Sequence, residues 1–218
     1  MENSAEIIKV VAQILALMIA IIGHEIMHGY IAYKYGDYTA KNAGRLSINP
    51  IKHVDLVGTI ILPALLFFSH APFLFGWAKP VPINMREVIN SGGYKAAISV
   101  SLAGIAYNFT LAIICTIIFS FLSEPTSYTS LFFVYLVLQT LIYNVVLGVF
   151  NLYPIPPLDG SHALAYLAAS KGWYGIMNFF DSIQRYGMLI LLLFIATPLS
   201  KYFFAPIGYI VNILVKLG

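Results

Sequence analysis

The sequence predicts an all-α polytopic membrane protein with about four to six membrane segments, folded as one membrane-embedded domain over residues 1–218. Three observations carry that reading. Of 218 residues, 60% are hydrophobic and only 10% charged, with a mean hydropathy of +0.83. A soluble domain usually carries about a quarter charged residues, so this chain cannot clothe itself in polar surface. The apolar residues gather in runs long enough to enter a bilayer, and the basic residues fall in the short loops between them. No internal repeat stands out, which gives an inverted-repeat transporter no support. A lone cysteine, Cys115, excludes an internal disulfide and a cysteine-rich metal site. The net charge of +3 suits membrane orientation better than nucleic-acid binding.

The elements follow in order. Residues 7–33 form a long helix; the acidic start M-E-N-S-A-E lacks a basic n-region, so this run is expected to be a retained anchor rather than a cleaved signal. Arg45 to Asn49, R-L-S-I-N, is strand-like and stops at Pro50. It reads either as an edge that could hold an extended substrate or as a covering loop. Residues 55–75 are apolar but broken by Gly58, Pro63 and Pro72. Residues 94–122 and 130–152 are comfortable spanning helices, and a short helix follows Gly160. A further segment, 186–200, is expected to cross outward and end at Pro198, and 203–216 is short for a full span.

Charge orients these segments. The loop after 7–33 holds Lys34, Lys41, Arg45 and Lys52 against Asp37, and the loop after 55–75 holds Lys79 and Arg86. The loop between 94–122 and 130–152 holds no basic residue. The positive-inside rule puts the first two loops in the cytoplasm and the third outside. That arrangement requires 55–75 to enter and leave on one side, as a re-entrant hairpin turning near Pro63. Hydropathy alone allows a plain crossing helix equally well.

One polar cluster interrupts the first apolar run: G-H-E-I-M-H-G, Gly23 to Gly29. Residues four apart share a helix face, so His24 and His28 can bind one Zn²⁺ while Glu25 serves as general base. The bland alternative is a pair of pore-facing or helix-bridging histidines. Ionisable groups at membrane depth are costly and mark function by default. A catalytic zinc takes three protein ligands and keeps an open position. The candidate third ligand is Asp159, in F-N-L-Y-P-I-P-P-L-D-G-S-H, where prolines stop a helix and Gly160 lets the chain turn. Asp159 could instead cap the helix that follows.

H24-E25-I-M-H28 together with N-x-x-P-x-P-P-L-D-G from Asn151 to Gly160 resembles the two hallmarks of the site-2 protease family of intramembrane zinc metalloproteases. G-R-L-S-I-N-P at Gly44 to Pro50 and F-G-W-A-K-P-V-P-I-N at Phe75 to Asn84 are similar to its short bacterial and archaeal members without a PDZ domain. The resemblance covers nearly the whole chain. It implies His24, His28 and Asp159 as ligands of one Zn²⁺ and Glu25 as catalytic base. It also implies a transmembrane protein as substrate and a prokaryotic plasma membrane as location, with the active site toward the cytoplasm. Relatives act on membrane-tethered regulators such as anti-sigma factors and on signal-peptide remnants. The chain departs from the family at A-G-I-A-Y-N, Ala103 to Asn108, where Ile105 replaces a common proline that kinks the helix. Only about six residues precede the H-E-x-x-H segment, so a gate built from an earlier helix is not expected.

The implied ligand set fixes direction. His24 and His28 lie toward the cytoplasmic end of the first helix, so 130–152 must run inward to deliver Asp159, 94–122 must run outward, and 55–75 cannot cross. Asn151 and Asn108 are candidates for oxyanion or substrate binding, with interhelical hydrogen bonding as the alternative for each. Asn144 reads as structural, His162 as interfacial or as a partner to the metal ligands, His53 and Asp55 as capping or pairing at the border of the re-entrant segment, and His70 as a further histidine. Two rivals remain: a surface zinc protease with a glutamate ligand from a downstream helix, and a non-proteolytic membrane metal-binding or transport protein.

Overall fold

The computed structural model describes residues 2–69, 78–198 and 200–218, and among them it is helical throughout with no strand. Its centre is a bundle of three mutually packed helices: α1 (Glu2–Lys34), α4 (Met85–Phe119) and α5 (Tyr128–Leu152). Each is long and apolar enough to cross a membrane. Between α1 and α4 lie α2 (Thr39–Asn42), a 3₁₀ turn (Pro50–His53), a π-turn (Leu56–Ile61) and α3 (Leu62–Phe68). Beyond α5 come α6 (Asp159–Ser170), α7 (Tyr174–Gln184), α8 (Gly187–Ala196) and α9 (Ser200–Leu217).

The contacts fix relative directions. His28 meets the Val100 carbonyl, His24 meets Asn108, and Tyr107 reaches the Ile19 carbonyl, so α4 runs antiparallel to α1. Lys9 lies over Tyr135 and Tyr143 packs with Ala16 and Ala20, so α5 runs parallel to α1. This is the alternation that the charge pattern requires. Ala12, Ala16 and Ala20, one turn apart on α1, are fully buried, and such small residues let neighbouring helix backbones approach closely. α1 stops at Gly36, which takes φ +88°, while the Asp37 N–H reaches back to the Ala32 carbonyl.

The segment after α2 is extended rather than a strand. Arg45 to Asn49 pairs with no β-partner among the described residues and ends where the Asn49 side chain accepts the Ile51 N–H. Asp55 then caps the next turn, accepting the Val57 and Gly58 N–H groups at 3.1 and 2.7 Å. The expected turn near Pro63 is absent. The π-turn runs straight into α3, where Pro63 occupies the first turn. A widened turn before a proline tolerates both its missing donor and its ring, which is why the helix continues. Six and seven residues make about 20 Å of helix, less than the roughly 30 Å of a hydrocarbon core. The rest of the predicted segment, with His70, Pro72 and Trp77, lies outside the described residues. Beyond them the chain is back where it left: the Lys79 N–H donates to the His53 carbonyl at 2.9 Å, and Arg45 donates to the Lys79 carbonyl at 2.5 Å. The two ends of this segment are therefore neighbours, which is the arrangement a re-entrant segment requires.

The C-terminal part corrects one expectation. α8 has ten residues, about 15 Å, too short to cross alone. It packs at the end of the bundle where α5 finishes, with Gly187 against the Pro156–Pro157 backbone and Leu191 among Phe150, Leu158 and Phe203. The run back along the bundle belongs to α9. Phe203 stacks on Tyr153 at one end of α5, and Gly218 lies beside Thr116 and Phe119 at the other end of the bundle. Along the way Ile207, Ile210, Val211 and Leu214 pack on the core of Ala112, Cys115, Leu141, Val145 and Val149.

Candidate metal centre

Three elements meet in the half of the bundle nearer the C-terminal ends of α1 and α5. His24 and His28 project from one face of α1, and both are buried. Asp159 arrives from the Pro-rich turn after α5, at the first residue of α6. Its carboxylate does not cap that helix; it points at the imidazoles. Gly160 makes the approach feasible, because a Cβ there would lie 2.2 Å from the Leu152 carbonyl oxygen. The Nε2 atoms of His24 and His28 are 3.0 Å apart, and Asp159 Oδ2 lies 3.1 and 3.2 Å from them.

That triangle fits a metal ion. A tetrahedral zinc with bonds of about 2.0–2.1 Å holds its ligand atoms roughly 3.3–3.4 Å apart. The tautomers agree. The Nδ1 of His28 faces the Val100 carbonyl at 2.7 Å, which can only accept, so that nitrogen carries the proton and Nε2 is left with a lone pair. The Nδ1 of His24 faces Asn108 Oδ1 at 2.7 Å and is fixed the same way. Two Nε2 lone pairs and a carboxylate oxygen converging at about 3 Å form a donor set suited to a cation.

α4 supplies the floor. Val100, Gly104 and Asn108 recur every four residues on one face, and all three touch the histidines. A Cβ on Gly104 would stand 2.5 Å from His24 and from His28 Nε2. The helix runs unbroken past Ile105, and its one break is at Gly93, with φ +65°. The role of Gly104 went unread in the sequence, although its spacing of four from Asn108 was the available signal.

Glu25 follows His24 directly, and its carboxylate accepts the Val81 N–H at 2.9 Å. The pinned stretch Ala78 to Asn84 thus passes beside the metal centre, held also by Asp37, which accepts the Asn84 N–H. Asn108 is fully buried; its Nδ2 donates to the Ala20 carbonyl and to Asn144 Oδ1, so neither amide proton is free for an oxyanion. Asn151 donates to the Leu147 carbonyl, and no hydrogen bond joins it to the three ligand atoms. His162 is half-buried near Asp159 and Asp181; burial pushes its imidazole down against their opposing pull. His53 accepts a different task, reaching the Ser47 carbonyl from a buried position.

The fold and site together define a helical membrane protein with a two-histidine, one-aspartate centre able to hold a metal ion. Over 202 residues, 88% of this chain and 84% of the relative, it is 33% identical to "Putative zinc metalloprotease YwhC" of Bacillus subtilis. It is 26% identical over 194 residues, 83% of this chain and 65% of the relative, to "Putative zinc metalloprotease Rip2" of Mycolicibacterium smegmatis. No family model and no solved structure matches the chain. The chain belongs to the site-2 protease family.

Proposed function

We propose that this protein is an intramembrane zinc metalloendopeptidase that cleaves transmembrane segments of other membrane proteins near their cytoplasmic ends. The observation that carries the proposal is the triangle of His24 Nε2, His28 Nε2 and Asp159 Oδ2, with both histidines on a helix long and apolar enough to span a bilayer. One Zn²⁺ per chain, when bound there, lowers the pKa of water toward about 7 and polarises a scissile carbonyl. Glu25 takes the proton from the attacking water and returns it to the leaving amine. Asn108 keeps its acceptor toward His24. Asn151 commits one amide proton to Leu147, which leaves the other for a developing oxyanion. The relatives' names support the peptidase chemistry, the three apolar helices support a substrate held in lipid, and the basic loops after the first and second apolar segments are the ground for placing the site toward the cytoplasm of a prokaryotic plasma membrane.

The test is Glu25→Gln in purified protein, assayed on a model transmembrane substrate with zinc content measured alongside. The expected result is zinc at the wild-type level with cleavage lost by at least about a hundredfold. Undiminished cleavage by zinc-loaded Glu25→Gln protein would refute the assignment. Metal uptake without cleavage of any transmembrane substrate by the wild type would favour a metal-binding or transport role.

A further inference from the structure

The imidazole of His24 is useful to a metal only if its proton sits on Nδ1. That choice is imposed by Asn108, whose Oδ1 lies 2.7 Å away. An asparagine amide, however, can turn over, and a flipped Asn108 would present its NH₂ to His24. Nδ1 would then have to accept, the proton would move to Nε2, and the ligand lone pair would be lost. Something must hold the amide in one sense. Two acceptors do so: the Ala20 carbonyl at 3.3 Å, and the closer Asn144 Oδ1 at 2.8 Å. Asn144 is itself an amide and is held in turn. Its Nδ2 donates to the Thr140 carbonyl at 2.8 Å, a backbone group that can only accept. Both asparagines are fully buried, where an unsatisfied amide is costly and water cannot substitute.

We infer that Asn144, on α5 and one residue removed from the ligand, is a positioning residue for the metal centre: it fixes the sense of Asn108 and thereby the tautomer of His24. The polarity of the whole line is set from a backbone carbonyl, so the centre is prepared by all three bundle helices. The inference rests on the zinc reading of the previous section, and its test separates the two.

Zinc affinity is measured by chelator competition on the full-length protein in detergent, and the Co²⁺-substituted protein reports ligand geometry through its visible absorption. A wild type that binds no zinc would sink the zinc reading itself. Given binding, Asn144→Leu is expected to weaken zinc about tenfold or more and to alter the Co²⁺ spectrum. Asn144→Asp, which keeps an acceptor toward Asn108, is expected to stay within about threefold. Thr140→Val, which removes only a hydroxyl bonded to the Leu136 carbonyl, is expected to leave affinity unchanged. In an Asn108→Leu background, Asn144→Leu should have no further effect on affinity, because its only route to the metal is gone. If Asn144→Leu does not fold, Asn144→Ala against Asn144→Asp makes the same comparison. Wild-type affinity in Asn144→Leu or Asn144→Ala overturns the inference, as do losses that add independently to those of Asn108→Leu.

Discussion

Adding one methyl group to Gly104 offers a direct test of how tightly α4 closes on the histidines. The built Cβ would meet His24 Cε1 and Nδ1 and His28 Nε2, each at 2.5 Å. An ordinary carbon contact is about 3.5–4.0 Å, so the alanine requires roughly 1 Å of separation. The helix backbone cannot bend locally to supply it, and the imidazoles cannot retreat without giving up the Val100 carbonyl and Asn108. A zinc site tolerates ligand displacements of only about 0.2 Å. Gly104→Ala is therefore expected to cost about a hundredfold in zinc affinity, close to 2.7 kcal/mol. Overpacking should cost a further 1–3 kcal/mol or so of stability. Gly208→Ala, where a Cβ meets nothing within 4 Å, is the matched control and should bind zinc like the wild type. Zinc stoichiometry, chelator competition and Tm with and without added zinc read out both effects. Stoichiometric zinc at wild-type affinity in Gly104→Ala would refute the packing argument, and with it the closeness of α4 to the metal.

Asp159→Ala should abolish stoichiometric zinc while leaving the protein folded, and added zinc should no longer raise its Tm, since only a ligand bound to the native state stabilises it; retained zinc would remove Asp159 from the ligand set. In a background with Cys115 replaced, a cysteine at Lys41 and one at Lys79 should both be labelled from the cytoplasmic side and one at Glu124 from the outside; labelling of the Lys79 position from outside would overturn the re-entrant segment.

Much of this was legible in the sequence because local chemistry carried it. The bundle helices announced themselves by apolar runs of sufficient length, and the pairing of His24 with His28 is a consequence of helical periodicity alone. The alternation of direction followed from where Lys and Arg fall, and the Asp55 cap from a single acidic residue before an apolar run. What stayed hidden depends on packing across the bundle. Gly104 carries no side chain to advertise its role, and Asn144 read as structural because its neighbour Asn108 is thirty-six positions away in the chain. The course of residues 203–216 stayed open because the apolar face of α9 is a stripe packed on α4 and α5, a weaker hydropathy signal than the uniformly apolar but short α8. Pro63 misled by its usual behaviour, since a π-turn absorbs what a proline normally breaks.

The remaining question is where an unwound substrate strand could be held, and backbone donors decide it. Strand addition needs free N–H and C=O groups along an edge. The stretch from Lys79 to Pro82 has no N–H to offer: those of Lys79 and Val81 are committed to His53 and Glu25, and Pro80 and Pro82 have none. It can lie beside the site without competing for substrate. Arg45 to Asn49 differs. Arg45 is tied back to Ala40 and Asn49 to Ser47, but among the described residues no hydrogen bond takes the N–H of Leu46 or Ile48, and Ile48 is 88% exposed. Ile48→Pro, which deletes one of these donors in a segment that is already extended, is accordingly expected to lower kcat/KM on a transmembrane substrate by about tenfold, with zinc content and Tm unchanged. Ile48→Ala, which trims the side chain and keeps the donor, should lose less. Equal losses in the two variants would assign the effect to the side chain, and no loss in Ile48→Pro would rule this edge out as the place where substrate pairs.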